Sequence, residues 1–425
     1  MSSMTDPTVL DDLEARGLVQ ECTDRDALRA RLAQGPITLY YGCDPTADSL
    51  HVGNLIGLLV LRRFQEAGHR PIALAGGATG MVGDPGGRSE ERNLLDEDTL
   101  RANVAAIKAQ ISRILGPEGP WSLVDNYTWT RDLPLLAFLR DVGKHATVNQ
   151  MLARESVKAR ISSEHGISYT EFSYMLLQAN DYLWLHDHEG CELQIGGSDQ
   201  WGNILSGADL IRRSRGAAVH ALAWPLLTAP DGTKLGKTTG ARTWLDPART
   251  SPYQFFQHWM QTDDRQVAQM LAQFTLLPME EVAAAVEAHE QAPERRSAQR
   301  LLAREATTLV HGASEAAGAE AAAAILFGAP VTEATPEALE QVAREVIVHR
   351  VPALDGGRDI VDLVVEAELT ASKGEARRAL AQGGLYVNNE QVADGAQVTA
   401  DDLLFGRWVL IRRGKKAHAL VEVTG

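Results

Sequence analysis

The chain has 425 residues, 44% of them hydrophobic and 23% charged, with a formal net charge of −15. That length exceeds one ordinary core and predicts two or three domains, and the apolar run at 55–61 is far too short to cross a bilayer, so no membrane association is expected. Three scattered cysteines, Cys22, Cys43 and Cys191, argue against a disulfide framework and a zinc site and for the reducing cytoplasm, no export signal is expected, and so acidic a chain can hold a polyanion only through local basic patches.

In chain order, 37–43 reads as a buried strand. A loop with Asp44 and Pro45 leads to an apolar helix over 52–67, closed by Gly68. A second buried strand is predicted at 71–75, a glycine-rich loop at 76–87 and a helix at 98–115. Strand-like runs return at Leu123, at 191–195 and at 221–227, with helical segments between them. This alternation predicts an α/β domain with a parallel sheet, whose ligands sit in loops at the carboxyl ends of strands. After about Ala241 the strands vanish, and 251–328 reads as helices, many rich in Ala, Glu and Gln. Pro330 and Pro336 mark a linker, and the last stretch mixes short helices and strands. The expected divisions are 1–240 (α/β), 241–328 (α-helical), 329–345 (linker) and 346–425 (small α+β).

Several segments carry residues suited to chemistry. The first strand-to-helix turn holds Thr46, His51, Gly53 and Asn54. His51 and Asn54 lie three apart at a helix start, where free N–H groups and the dipole already favour anions. They and Thr46 add neutral donors, and Gly53 would let a ligand approach the backbone. An ordinary capped helix with Ser49 as the cap explains the same string, so both readings stay open. A glycine-flanked loop carries Lys234, Lys237 and Thr238, whose lysines could neutralise a departing pyrophosphate; alone, it reads as a solvated turn. The glycine loop with Asp84, and Arg88 and Arg92 after it, also reads alone as turn and surface.

Tyr174, Gln178 and Asp181 fall at i, i+4 and i+7 and share one helix face, opposite Phe172, Leu176, Ala179 and Leu183. Alone, this spacing reads as an amphipathic helix showing its polar side to water; against that, a solvent face is usually rich in Lys and Glu. A phenol, an amide and a single carboxylate suit a small zwitterion with a polar tip. Gly197, Asp199 and Gln200 occupy another strand-to-helix turn, where Asp199 could accept from ribose hydroxyls or merely cap a helix. Near the end, Arg407, Arg412, Arg413, Lys415 and Lys416 crowd together with no acid among them, and Lys373, Arg377 and Arg378 sit on a nearby helix. Basic residues gathered in one part of an acidic chain suggest an RNA-binding surface.

Together these strings are far more specific. The H-x-G-N at 51–54 and the K-L-G-K-T at 234–238 resemble the two signatures of class I aminoacyl-tRNA synthetases. The text at 39–51, 76–84, 170–178 and 193–203 resembles the tyrosyl enzymes of bacteria, and 412–416 resembles their S4-like tail, in the same order over nearly the whole chain. The resemblance implies a Rossmann-like catalytic domain, a helical domain and an S4-like RNA-binding domain, working on L-tyrosine, ATP and tRNA(Tyr), with Mg2+ beside the pyrophosphate. It implies that Tyr40 and Asp181 bind the phenol and that Asp84, Tyr174 and Gln178 hold the ammonium group, with Gln200 near the reacting carboxylate. Thr46 and His51 would contact the γ-phosphate, Asn54 and Asp199 the ribose, and Gly42, Asp44, Gly53 and Gly197 would shape the nucleotide site. Arg88, Arg92, Lys234, Lys237 and Thr238 would close over the pyrophosphate. A homodimer packed through 138–151 is implied as well.

The chain departs from the family pattern at Asn54 (usually His), Tyr41 (usually Cys), Arg88 (commonly Lys) and Leu235 (usually Phe). Two rival readings are a tryptophanyl enzyme, disfavoured by Tyr40 with Asp181 and by the tail, and an RNA-binding protein with an inactive core, disfavoured by His51, Lys234 and Lys237.

Overall fold

The computed structural model describes residues 8–84, 96–116, 118–162, 166–227, 242–331, 334–354 and 356–424. They belong to two compact units, Met1–Asp246 with Thr262–Leu302, and Pro247–Gln261 with Ala303–Gly425.

The first unit is built on six strands: β1 (Glu21–Cys22), β2 (Thr38–Cys43), β3 (Arg70–Ala75), β4 (Ser122–Asp125), β5 (Cys191–Gly197) and β6 (His220–Trp224). Their order is β1-β6-β5-β2-β3-β4, and all neighbours are parallel except β1, which is antiparallel to β6. The strand expected at 221–227 stops at Trp224, because Pro225 has no N–H with which to extend the ladder. The strand order reverses between β2 and β5. There, pairing reaches only to Tyr40 opposite Gln194. Beyond it β2 continues to Cys43 along β3, and β5 continues to Gly197 along β6. The two central strands therefore part at their carboxyl ends, where open sheets of this kind bind ligands.

Successive side chains of β2 go to opposite faces of the sheet. Tyr40 packs against Tyr182 of the helix Tyr169–Glu189, with ring centroids 5.4 Å apart. Tyr41 packs against the helix Val52–Glu66, where a Cβ on Gly57 would lie 2.4 Å from its ring, and meets Trp224 edge-on at 5.4 Å. That helix is buried almost all round, from Leu55 to Leu61 and again at Arg63, Phe64 and Gln65, as expected for a crossover covered on both sides. Its buried Arg63, together with Arg16, binds the carbonyls that end the helix Val267–Phe274: Arg16 donates to Ala272 and Leu277 at 2.8 Å, and Arg63 to Thr275 at 2.5 Å. Orphan carbonyls and the negative end of a helix dipole attract such cations. The stretch 262–302, expected to be part of a separate helical domain, thus packs with the sheet unit.

In the second unit a five-stranded sheet runs in the order Glu390–Gln391, Leu385–Val387, Trp408–Arg413, Ala417–Val423, Ile347–Val351. Side-chain alternation buries both of its faces. Val409, Ile411, Ala419 and Val421 join the core of the helices Ile360–Glu366 and Lys373–Ala381. Trp408, Leu410 and Leu420 pack instead with Ala322, Ile325, Ala338, Leu339 and Val342. The last three residues sit on a helix, Pro336–Glu345, in the stretch expected to be a linker. Pro336 starts that helix, Thr335 caps it by accepting from Ala338, and its apolar stripe gives it a face to bury.

Candidate active site

The floor of the site is a carboxylate. Asp181, on the helix Tyr169–Glu189, is 2% exposed and accepts from Asn126 Nδ2 and Trp129 Nε1, each at 2.9 Å. Burial pushes its pKa up to about 7, against the pull of those two donors. Asn126 follows β4 and is fixed in turn by the Ala78 N–H, which donates to its Oδ1 at 2.7 Å. Trp129 stacks on Trp184 at 4.2 Å, and Trp184 on His188 at 4.3 Å. Neither Asn126 nor Trp129 was among the sequence candidates. Asn126 lies at the carboxyl end of a strand, where ligands are expected, and that position is the signal that could have found it. Beside Asp181 lies the Tyr40 hydroxyl, buried and without a hydrogen-bond partner, its pKa raised by burial and by the nearby carboxylate. The Gln178 carbonyl is also buried without a partner.

The network continues through Thr79. Asn126 donates to Thr79 Oγ1 at 3.1 Å, Thr79 donates to Asp44 Oδ1 at 2.8 Å, and the Tyr174 hydroxyl donates to Asp44 Oδ2 at 3.0 Å. A Cβ on Gly76 would stand 2.3 Å from Asp44 Oδ1, and one on Gly77 2.3 Å from Asp125 Oδ1. These two glycines admit carboxylates rather than merely turning the chain. On the far side, Gln200 donates to Asp84 Oδ2 at 2.7 Å and accepts from Asn203 at 3.2 Å. Gly197 could not carry a side chain without approaching Asp199 Oδ1 to 2.8 Å. Gly42 is exposed where β2 and β5 part.

The first turn of the helix Val52–Glu66 differs from expectation in its cap. His51, not Ser49, is the N-cap: its Nδ1 accepts from the Gly53 N–H at 3.0 Å, while Asn54 Oδ1 accepts from the His51 N–H at 3.2 Å. Ser49 is buried two residues too early and donates to the Leu50 carbonyl instead. What approaches Gly53 is the imidazole itself, 2.8 Å from where a Cβ would stand. Burial, helped by the charge of Arg242, lowers the His51 pKa to about 4, so the ring is neutral at pH 7. With Nδ1 accepting, its proton lies on Nε2, free to donate. Burial raises the Tyr41 pKa well above the usual phenol value. Thr46 is exposed in the preceding turn. Arg88, Arg92, Lys234, Lys237 and Thr238 lie outside the described residues.

The basic residues of the second unit do not form one patch. Arg377, Arg378, Lys415 and Lys416 are exposed. Arg412 lies 3.7 Å over the Tyr386 ring and donates to Asn389, Arg413 pairs with Glu375 at 2.7 Å, and Lys373 pairs with Asp362 at 2.7 Å. Arg407 precedes the strand whose far end is Arg413, about 20 Å away at the usual rise per residue. It is held there by Glu422 at 2.9 Å.

Residues 32–328 match the family model described as tRNA synthetases class I (W and Y), and 339–421 match that of the Tyrosine--tRNA ligase SYY-like C-terminal domain. The tyrosine--tRNA ligase of Opitutus terrae is 52% identical over 98% of this chain and 100% of its own length. That of Acidothermus cellulolyticus is 50% identical over 98% of this chain and 99% of its own. Among solved structures, a C-terminally truncated Aspergillus nidulans mitochondrial tyrosyl-tRNA synthetase superposes with a TM-score of 0.68 at 32% identity, covering 73% of this chain and 92% of that one. The first family model spans both amino acids; the C-terminal model and the full-length relatives are specific to tyrosine.

The Asp181 pKa has a consequence for stability. The folded state holds this proton up to about pH 7, whereas an unfolded aspartate releases it near 4. Stability therefore falls as pH rises between those values. Asp181→Asn removes the titration, so between pH 4 and 8 the stability difference should move in the variant's favour by up to about 4 kcal/mol. Denaturant unfolding of both proteins across that range measures it, and a pH-independent difference would contradict the assignment.

Proposed function

We propose residue roles for a chain that belongs to the class I tRNA synthetases (W and Y), among their tyrosine–tRNA ligases. Such an enzyme activates tyrosine with ATP and charges tRNA with it. The observation that carries the assignment is the buried Asp181 carboxylate beside a Tyr40 hydroxyl that lacks a partner. Buried polar groups are rarely left unsatisfied, and a substrate phenol set between these two would give the Tyr40 hydroxyl its missing partner while donating to Asp181, whose oxygens can each accept a second bond. A phenylalanine ring would leave the Tyr40 hydroxyl unpaired, which is how such a site rejects it. Tyr174, Gln178 and Asp84 then face the substrate ammonium, and Gln200, held on Asp84, lies by the reacting carboxylate.

The carboxylate is the nucleophile, so no serine or cysteine is needed. It attacks the α-phosphorus of ATP in line, forming tyrosyl-adenylate as the bond to the leaving pyrophosphate breaks. Thr46 and His51 donate to the phosphates, Asn54 and Asp199 hold the ribose, and Gly42, Asp44, Gly53 and Gly197 shape the nucleotide site. Arg88, Arg92, Lys234, Lys237 and Thr238 act at the pyrophosphate. Magnesium bound with ATP would supply further charge neutralisation at the pyrophosphate. The terminal ribose hydroxyl of tRNA(Tyr) then attacks the adenylate carbonyl and releases AMP.

In this reading the catalytic body is the sheet unit together with 262–302, and the S4-like RNA-binding part lies within the second unit, after the helix Pro336–Glu345. Cytoplasmic location fits the thiols and the lack, among the described helices, of one able to cross a membrane. A homodimer packed through 138–151 is part of this reading, and the exposure of Leu139 and Val148, with Leu135 and Leu136 just before, supports it. Light scattering at micromolar concentration should give the mass of two chains, and a single-chain mass would exclude the dimer.

His51→Ala should lower kcat for tyrosine-dependent ATP–pyrophosphate exchange about a hundredfold, with the KM for tyrosine little moved. A change confined to KM would remove His51 from the transition state.

Alanine at Arg377, Arg378, Lys415 and Lys416 together should leave exchange intact, depress tRNA charging and flatten its salt dependence. Unaltered charging at 0.15 M salt would move the RNA surface elsewhere.

A further inference from the structure

The segment after position 241 returns to the start of the helix Val52–Glu66. The Leu245 N–H donates to the Leu50 carbonyl at 2.8 Å, the Val52 N–H donates to the Thr243 carbonyl at 3.1 Å, and His51 and Trp244 form an antiparallel bridge between them. Continued by one residue past Thr243, this register sets Arg242 opposite Gly53, in the first helical turn. Arg242 is exposed, its guanidinium carbon lies 5.7 Å from the centre of the Trp244 ring, and that ring lies 6.1 Å from the His51 imidazole. Its charge is near enough to help keep His51 neutral.

We propose that Arg242 is a phosphate-binding residue of the activation step, contacting the β- and γ-phosphate oxygens of ATP. This deepens, and rests on, the reading of the turn at 46–54 as the phosphate end of the site. In that step a tyrosine carboxylate oxygen bonds to the α-phosphorus, the bond from that phosphorus to the bridging oxygen breaks, and its electron pair leaves with pyrophosphate. Charge builds on the leaving group. Within the turn at 46–54, His51 and Thr46 meet it with dipoles alone. A guanidinium adds a full charge and a planar pair of donors matched to phosphate oxygens. Trp244 gives the long side chain a surface to lie on, which lowers the entropy lost when it engages. The register also explains why a residue so far along the chain serves the first strand-to-helix turn.

The test uses the full-length chain with Arg242→Ala, Arg242→Lys and His51→Ala. Arg242→Ala should reduce kcat for tyrosine-dependent exchange at least about tenfold. It should also weaken the pyrophosphate dependence of the reverse reaction from isolated enzyme-bound tyrosyl-adenylate. The KM for tyrosine and the thermal midpoint should stay unchanged, and Arg242→Lys should recover part of the loss. If exchange is normal in Arg242→Ala but slowed in His51→Ala, the inference fails and the reading of the turn survives. If both variants exchange normally, both fail. If exchange is normal and only tRNA charging suffers, Arg242 serves RNA and the inference is overturned.

Discussion

Taking the Asp181 carboxylate out of water is the constraint around which the tyrosine end of the site is organised. An ionised group at 2% exposure costs several kcal/mol unless donors meet it. Two do so directly, Asn126 and Trp129, and each needs its own support. Asn126 is oriented by the Ala78 backbone and shared with Thr79; Trp129 is braced by the ring stack of Trp184 and His188. Thr79 passes the requirement to Asp44, and Asp44 to Tyr174. Even Gly76 and Gly77 follow from it, since side chains there would displace Asp44 and Asp125. Groups held in place by one another before substrate arrives are pre-organised, and the unmatched Tyr40 hydroxyl and Gln178 side-chain carbonyl mark what is left for the ligand.

Local patterns made much of this legible. The alternation of buried strands with helices gave the parallel sheet, and the spacing of Tyr174, Gln178 and Asp181 put three polar groups on one face, because helical periodicity is a property of the chain itself. What stayed hidden depends on residues far apart in sequence. Nothing near Asn126 or Trp129 shows that they meet a carboxylate more than fifty residues on. Ser49 has the chemistry of a cap, but the cap is two residues later at His51, which also makes a backbone bridge to Trp244 that no local rule reveals. Likewise, Pro330 and Pro336 look like the punctuation of a linker, yet Pro336 opens a helix whose stripe is buried by the sheet residues Trp408, Leu410 and Leu420.

The basic tail shows how composition and geometry differ as guides to nucleic-acid surfaces. Counted along the chain, Arg407 belongs with Arg412 and Arg413. On the folded strand it stands at the opposite end, with Glu422 as its partner. Arg413 and Lys373 are likewise committed to acidic neighbours. Cations already matched inside the protein neutralise fewer phosphates than their number suggests, and the exposed set is smaller than the cluster in sequence.

Tyr41 and Gly57 are a single choice made at two positions. With a Cβ at 57 only 2.4 Å from the tyrosine ring, neither can be changed freely without regard to the other. A side chain at 57 fits beside this backbone only when the ring shifts or a smaller residue stands at 41. A scan that alters one position at a time would score 57 as intolerant, whereas a library varying both together would recover the combinations that pack.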